Sequence, residues 1–230
     1  PAGQKSDDIR ITATVTQPTG WKLVTPLIKE PATAERVEFP TVSLTEFVDS
    51  PGITGKYFNR ITVGANEEID VFGDKPDVID MSLDGTEKCK RLVNEAYAIF
   101  GAKHYRNYKF LVTLSNEGGF AGLEHHECSE DGSSLDSFKS PSGLQGFGYL
   151  ISHEYAHSWN GKYRRPTGLA TPDYDTPMKG QLLWVYEGLT QYLGHIFEAR
   201  SGFVTPEQFR ENLAGELADD SYRAGRNWRP

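Results

Sequence analysis

The run Ser152-His153-Glu154-Tyr155-Ala156-His157-Ser158-Trp159 is the stretch from which the rest of the chain can be read. It closes an apolar segment, from about Ser142 to Trp159, whose pattern predicts a helix. Residues four apart share a helix face, so the imidazoles of His153 and His157 converge on one point while Glu154 projects toward the same pocket. Imidazole and carboxylate donors at this spacing suit zinc, whose catalytic sites keep three protein ligands and one open position. With six histidines in 230 residues, the chance expectation for such a pentapeptide is roughly 0.01, and the pattern carries chemistry only on a helix. Zinc is therefore the expected cofactor.

A third ligand is sought in the next periodic segment, from about Leu182 to Arg200. There Leu189, Tyr192, Leu193, Ile196 and Phe197 form the apolar stripe of a packed helix, and Glu187 stands among apolar neighbours in its first turn. A carboxylate buried there is costly unless paired or metal-bound. Asp173 and Asp175, in the Pro- and Gly-rich loop between the two helices, are rival ligands, although turn residues are their simpler reading.

Working outward, Ile9 to Val15 and Arg60 to Val63 alternate with period two and predict strands in a β-rich N-terminal part, residues 1–72. Cys89, Leu92, Val93, Ala96, Ile99 and Phe100 form one helical stripe ended by Gly101. Tyr108–Leu114 reads as a buried strand, Gly118-Gly119 as a turn, and residues 122–129 as a further extended piece. A last helix starts at Pro206 with Thr205 as its N-cap. Lys and Arg number 24 against 32 Asp and Glu, a net charge of −8 with no basic stripe, which excludes binding to nucleic-acid phosphates. No apolar run approaches the ~20 residues of a membrane span. Cys89 and Cys128 read as two unpaired thiols rather than a disulfide framework.

His153 to Pro166, followed by Trp184-Val185-Tyr186-Glu187-Gly188-Leu189-Thr190-Gln191-Tyr192, resembles the glycyl aminopeptidase family, zinc peptidases of the gluzincin group that often carry a PDZ domain. Ser43-Leu44-Thr45-Glu46-Phe47-Val48-Asp49-Ser50-Pro51, Gly119 to His125, and Gly225-Arg226-Asn227-Trp228-Arg229-Pro230 resemble further segments of that family, so the likeness spans most of the chain. It implies an α+β fold: the β-rich part, then a thermolysin-like zinc-peptidase domain over residues 73–230, cut short before its C-terminal helical part and any PDZ module. The missing initiator Met and the ending at Pro230 agree with a piece of a longer protein.

The resemblance further implies Glu154 as general base toward a zinc-activated water, with His153, His157 and Glu187 as ligands. Glu124, with Gly122 in a Gly-x-x-Glu strand, would hold the substrate's free α-amine, which restricts attack to chain ends. The expected function is a zinc aminopeptidase that releases small first residues, Gly or Ala, from peptides with a free N-terminus. The alternatives are an endopeptidase with the same metal core and a catalytically incomplete peptide-binding fragment. A bacterial periplasmic or secreted location is favoured over the cytoplasm.

Weaker candidates complete the picture. His125 and His126 are read as substrate contacts or structural residues, His195 as structural and His104 as surface. Asn160, Lys162, Arg164 and Arg165 are read as a C-terminal cap and its supporting cations, and Glu198 as a supporting or surface group. The family's oxyanion-stabilising Tyr or His is either Tyr222 or, on the favoured reading, absent.

Overall fold

The structure is a computed structural model and describes residues 3–224. Its N-terminal part is a set of short strands, β1 (Arg10–Ile11), β2 (Thr14–Thr16), β3 (Lys22–Val24), β4 (Arg36–Glu38) and β5 (Val42–Ser43), then a one-turn helix α1 (Leu44–Val48) and β6 (Ile53–Gly55). They pair as three two-stranded ribbons, β1 with β5, β2 with β4 and β3 with β6. The single strand expected over residues 9–15 is thus two pieces, because β1 and β2 hydrogen-bond to different partners.

A five-stranded sheet follows, built from β7 (Tyr57–Thr62), β8 (Glu67–Gly73), β9 (Tyr108–Leu114), β10 (Ala121–Glu124) and β11 (Cys128–Ser133), in the order β10-β11-β9-β8-β7. β8, β9 and β11 run parallel, while β7 and β10 are antiparallel edges. β8 and β9 are buried almost throughout, as central parallel strands must be when both faces are covered. The sheet draws strands from both sides of residue 72. The extended segment expected over residues 122–129 is a hairpin, β10 turning into β11 through residues 125–127.

Helix α2 (Leu83–Phe100) makes the crossover from β8 to β9, buries Cys89, Leu92, Val93 and Ala96, and ends on Gly101 at φ 75°. With α3 (Pro141–Trp159) it covers one sheet face, packing Phe147, Ile151 and Tyr155 against Ile69, Val71, Tyr108, Phe110 and Val112. The other face packs Phe72, Leu111 and Cys128 against Val24 and Ile53 of the N-terminal ribbons. Both cysteines are buried and free.

The helix expected over residues 182–200 is composite. A 3-10 turn (Gly180–Leu182) and a π turn (Trp184–Gly188) precede α4 (Leu189–Ser201), which ends on Gly202 at φ 82°. α5 (Pro206–Ser221) begins with the Thr205 cap and Pro206, and Gln208 closes a capping box. Among the described residues, no helix is long and apolar enough to cross a membrane.

Candidate active site

On α3, the Nε2 atoms of His153 and His157 face each other at 3.0 Å. Glu187 Oε2 lies 3.6 Å from the first and 3.4 Å from the second. The other nitrogen of each ring is engaged. His153 Nδ1 donates to Gln191 Oε1 at 3.0 Å, and His157 Nδ1 to the Asn160 carbonyl at 3.2 Å. With their hydrogens on Nδ1, both imidazoles turn bare lone pairs toward one point that a carboxylate oxygen also faces. Burial, the main cause in each ring, lowers both histidine pKa values and so favours the neutral, ligating form. Ligand atoms about 3.4 Å apart are what a tetrahedral shell with bonds of ~2.1 Å requires, so this N2O donor set fits zinc.

Glu187 reaches this point through packing of α4 on α3. A Cβ on Gly194 would lie 3.1 Å from the His153 Cα, so a glycine there lets α4 cross directly over the histidine's backbone. Asn160, which ends α3, donates from Nδ2 to Val185 O at 2.8 Å and to Thr190 Oγ1 at 2.9 Å, tying the π turn to the histidine helix. π turns recur at functional sites, and this one carries Glu187. The premise that Glu187 is buried does not hold, since its side chain is 50% exposed; it stands at the rim of the site. Asp173 instead accepts the backbone N–H groups of Asp175 and Thr176 in an exposed turn.

Glu154 is buried and points at β10. A Cβ on Gly122 would fall 2.0 Å from Glu154 Oε1, so Gly122 makes the room that the carboxylate occupies. Burial first, then Asp131, Glu124 and Glu187, push the Glu154 pKa up to about 9. Glu124, at the end of β10, brings a carboxylate oxygen within 4.8 Å of donor atoms of Glu154 and His157. Burial pushes its carboxyl up, but the Tyr186 hydroxyl, a backbone amide, His157 and Lys162 outweigh burial, and its pKa is lowered.

The Tyr186 hydroxyl donates to Glu124 Oε1, and the Tyr186 ring lies 4.9 Å from that of His157. Tyr186 sits over Gly161, where φ is +134° and a Cβ would meet the ring at 2.8 Å. No local pattern marks Tyr186 beyond its place beside Glu187 in the family-like stretch Trp184–Tyr192. Beside it opens a cavity of about 300 Å³ bounded by Glu124, Lys162, Arg165, Leu169, Tyr186 and Glu187.

The supporting residues are more connected than expected. Asp49 accepts from Lys162 Nζ at 2.6 Å and from the His126 N–H at 2.8 Å, and lies 3.3 Å from His125 Nδ1. His125 is buried between Asp49 and Glu130. His104, expected at the surface, is half-buried: it stacks on Tyr163, lies 2.9 Å from His126 Nε2 and hydrogen-bonds Ser158. The aromatic side chains of Trp159 and Tyr163 cover it. His195 and Glu198 are both buried on α4. Arg165 Nε donates to the Gly161 carbonyl. Tyr222 is 92% exposed at the end of α5, and the segment Gly225 to Pro230 lies outside the described residues.

Residues 147–230 match the model of the M61 glycyl aminopeptidase family, and this segment contains His153, Glu154, His157 and Glu187. An aminopeptidase N family protein from Idiomarina loihiensis superposes with a TM-score of 0.66 at 21% identity, over 89% of this chain and 36% of its own. Two structures of leukotriene A4 hydrolase from Saccharomyces cerevisiae superpose with TM-scores of 0.51 and 0.52, at 15% and 17% identity, over 84% of this chain and 27% and 28% of theirs. At these identities the likeness is one of fold, and the chain spans about a third of their length. No curated protein matches the chain.

Proposed function

We propose that this chain, whose residues 147–230 carry the glycyl aminopeptidase match, is the zinc-binding body of a metallo-aminopeptidase. One observation carries the reading: His153, His157 and Glu187 turn three ligand atoms toward one point, with the carboxylates of Glu154 and Glu124 beside them. Zinc held there supplies Lewis acidity that polarises the scissile carbonyl and acidifies water. Glu154, facing β10 across Gly122 and returned to its carboxylate form by the charge of a dication held beside it, takes the proton from the attacking water and delivers it to the leaving amine nitrogen. The free edge of β10 offers backbone groups to an extended peptide. Glu124, restrained by the Tyr186 hydroxyl, accepts hydrogen bonds from the α-ammonium of the first residue, and this pairing favours chain ends over internal bonds. The preference for small first residues, Gly or Ala, rests on the family match.

The test uses aminoacyl anilides and a peptide in free and N-acetylated forms. Glu154→Gln is expected to keep zinc and lose about 10²–10⁴-fold in kcat, and the acetylated peptide is expected to resist cleavage. Undiminished turnover by Glu154→Gln sinks the assignment of the base. Equal cleavage of both peptides replaces the aminopeptidase with an endopeptidase.

A further inference from the structure

A polar chain leads from the zinc site through α4 to α5. Gln191 Oε1 lies 3.0 Å from His153 Nδ1. At its other end, Gln191 Nε2 donates to the Tyr149 hydroxyl at 2.9 Å and to Glu216 Oε1, on α5, at 3.1 Å, and lies 3.0 Å from His195 Nε2. The same Glu216 oxygen lies 2.8 Å from Nε2 of the buried His195, and Glu198 Oε2 faces that ring's Nδ1 at 3.6 Å. We infer that Gln191 is the positioning residue of His153, and that Glu216 on α5 holds Gln191 in its working orientation. The inference rests on the zinc reading of the site.

The sense of each hydrogen bond sets which way the Gln191 amide faces. Were the amide of Gln191 turned over, its NH2 would face the Nδ1–H of His153 and its oxygen would face the Glu216 carboxylate, so the bonds to His153 and Glu216 would both be lost, and only Tyr149 and His195 could still donate to the displaced oxygen. Glu216 therefore fixes the amide with its oxygen toward His153. An acceptor at Nδ1 keeps the hydrogen on that nitrogen, orients the ring and leaves the Nε2 lone pair for the metal. Carboxylates commonly fill this place in zinc sites. Here one would stand within hydrogen-bonding reach of Glu216, with Glu198 also close to His195, and a neutral amide avoids that repulsion.

The test measures zinc affinity of the whole chain by competition with a chromophoric chelator, together with the visible spectrum of the cobalt(II) form and the thermal midpoint of the metal-free form. Gln191→Met removes the acceptor at constant length and is expected to weaken zinc binding by about 10–100-fold, to shift the cobalt spectrum and to leave the metal-free midpoint in place. Gln191→Glu retains the acceptor but sets a carboxylate against Glu216, so it is expected to recover wild-type affinity only when combined with Glu216→Gln. Glu216→Ala is expected to fall between wild type and Gln191→Met. If Gln191→Met does not fold, Gln191→Asn, whose shorter side chain withdraws the acceptor, is read in the same way. Zinc affinity within about twofold of wild type in the acceptor-less variant overturns the positioning role while leaving the zinc site intact. A wild type that binds no zinc removable by His157→Ala overturns the zinc reading, and this inference with it.

Discussion

Gly122 and Glu154 show how little room the site leaves at the scale of single residues. The missing side chain of one is the space filled by the carboxylate of the other, with 2.0 Å between a virtual Cβ and Oε1. Gly122→Ala therefore has to move either β10 or Glu154. Since a misplacement of about 1 Å at a catalytic group can lower rate by about 10²-fold, this variant is expected to lose activity on that order while binding zinc as the wild type does. Unchanged kcat in Gly122→Ala contradicts the placement of Glu154 against β10. Tyr186 acts at the same scale, because its hydroxyl pins the carboxylate of Glu124. Tyr186→Phe should raise KM for free peptides while leaving zinc content alone, as measured by steady-state kinetics and elemental analysis.

At the scale of elements, the site depends on how closely α3 is approached from two directions. Gly194 lets α4 cross over His153, and Gly148 receives the ring of Phe203, which follows the α4 C-cap. A Cβ on Gly148 would meet the Phe203 ring at 2.3 Å, and both partners are buried. Gly148→Ala is thus an overpacking change, expected to destabilise by about 1–3 kcal/mol and to lower the thermal midpoint with the metal absent as well as present. A midpoint equal to wild type contradicts this packing. The π turn belongs with this packing: Asn160 fastens it to the end of α3, which ties the segment carrying Glu187 to the helix carrying His153 and His157.

Over the whole molecule, Asp49 joins the N-terminal part to the β10–β11 turn of the five-stranded sheet and to the loop after α3. Burial alone would raise its pKa, but His125, Lys162 and the His126 amide together lower it from 3.8 to about 2. A carboxyl whose folded pKa lies below its unfolded value contributes stability that is fully present above about pH 4 and is lost as the pH falls through 2. The contribution at neutral pH is about 2 kcal/mol. Asp49→Asn should lower the thermal midpoint at pH 7 and flatten its fall between pH 4 and pH 2. Midpoint curves that run parallel in variant and wild type over that range rule out Asp49 as the titrating tie.

What the sequence by itself determined is whatever depends on short spacing. The four-residue step from His153 to His157, the stripe of α2, the apolar run of β9 and the Thr205-Pro206 cap are local patterns, and backbone geometry alone converts each into a face or an end. Tertiary structure decided the rest. The run from Ile9 to Val15 has strand character throughout, but only its partners split it into β1 and β2. Glu187 sits in an apolar sequence yet stands at an exposed rim, because exposure is set by what packs over a residue and not by its neighbours in the chain. His104 is covered by aromatic rings from beyond residue 150, and Gln191 meets His153 only because Gly194 brings α4 down onto α3. Such contacts join residues tens of positions apart, and a sequence pattern of period two or 3.6 carries no record of them.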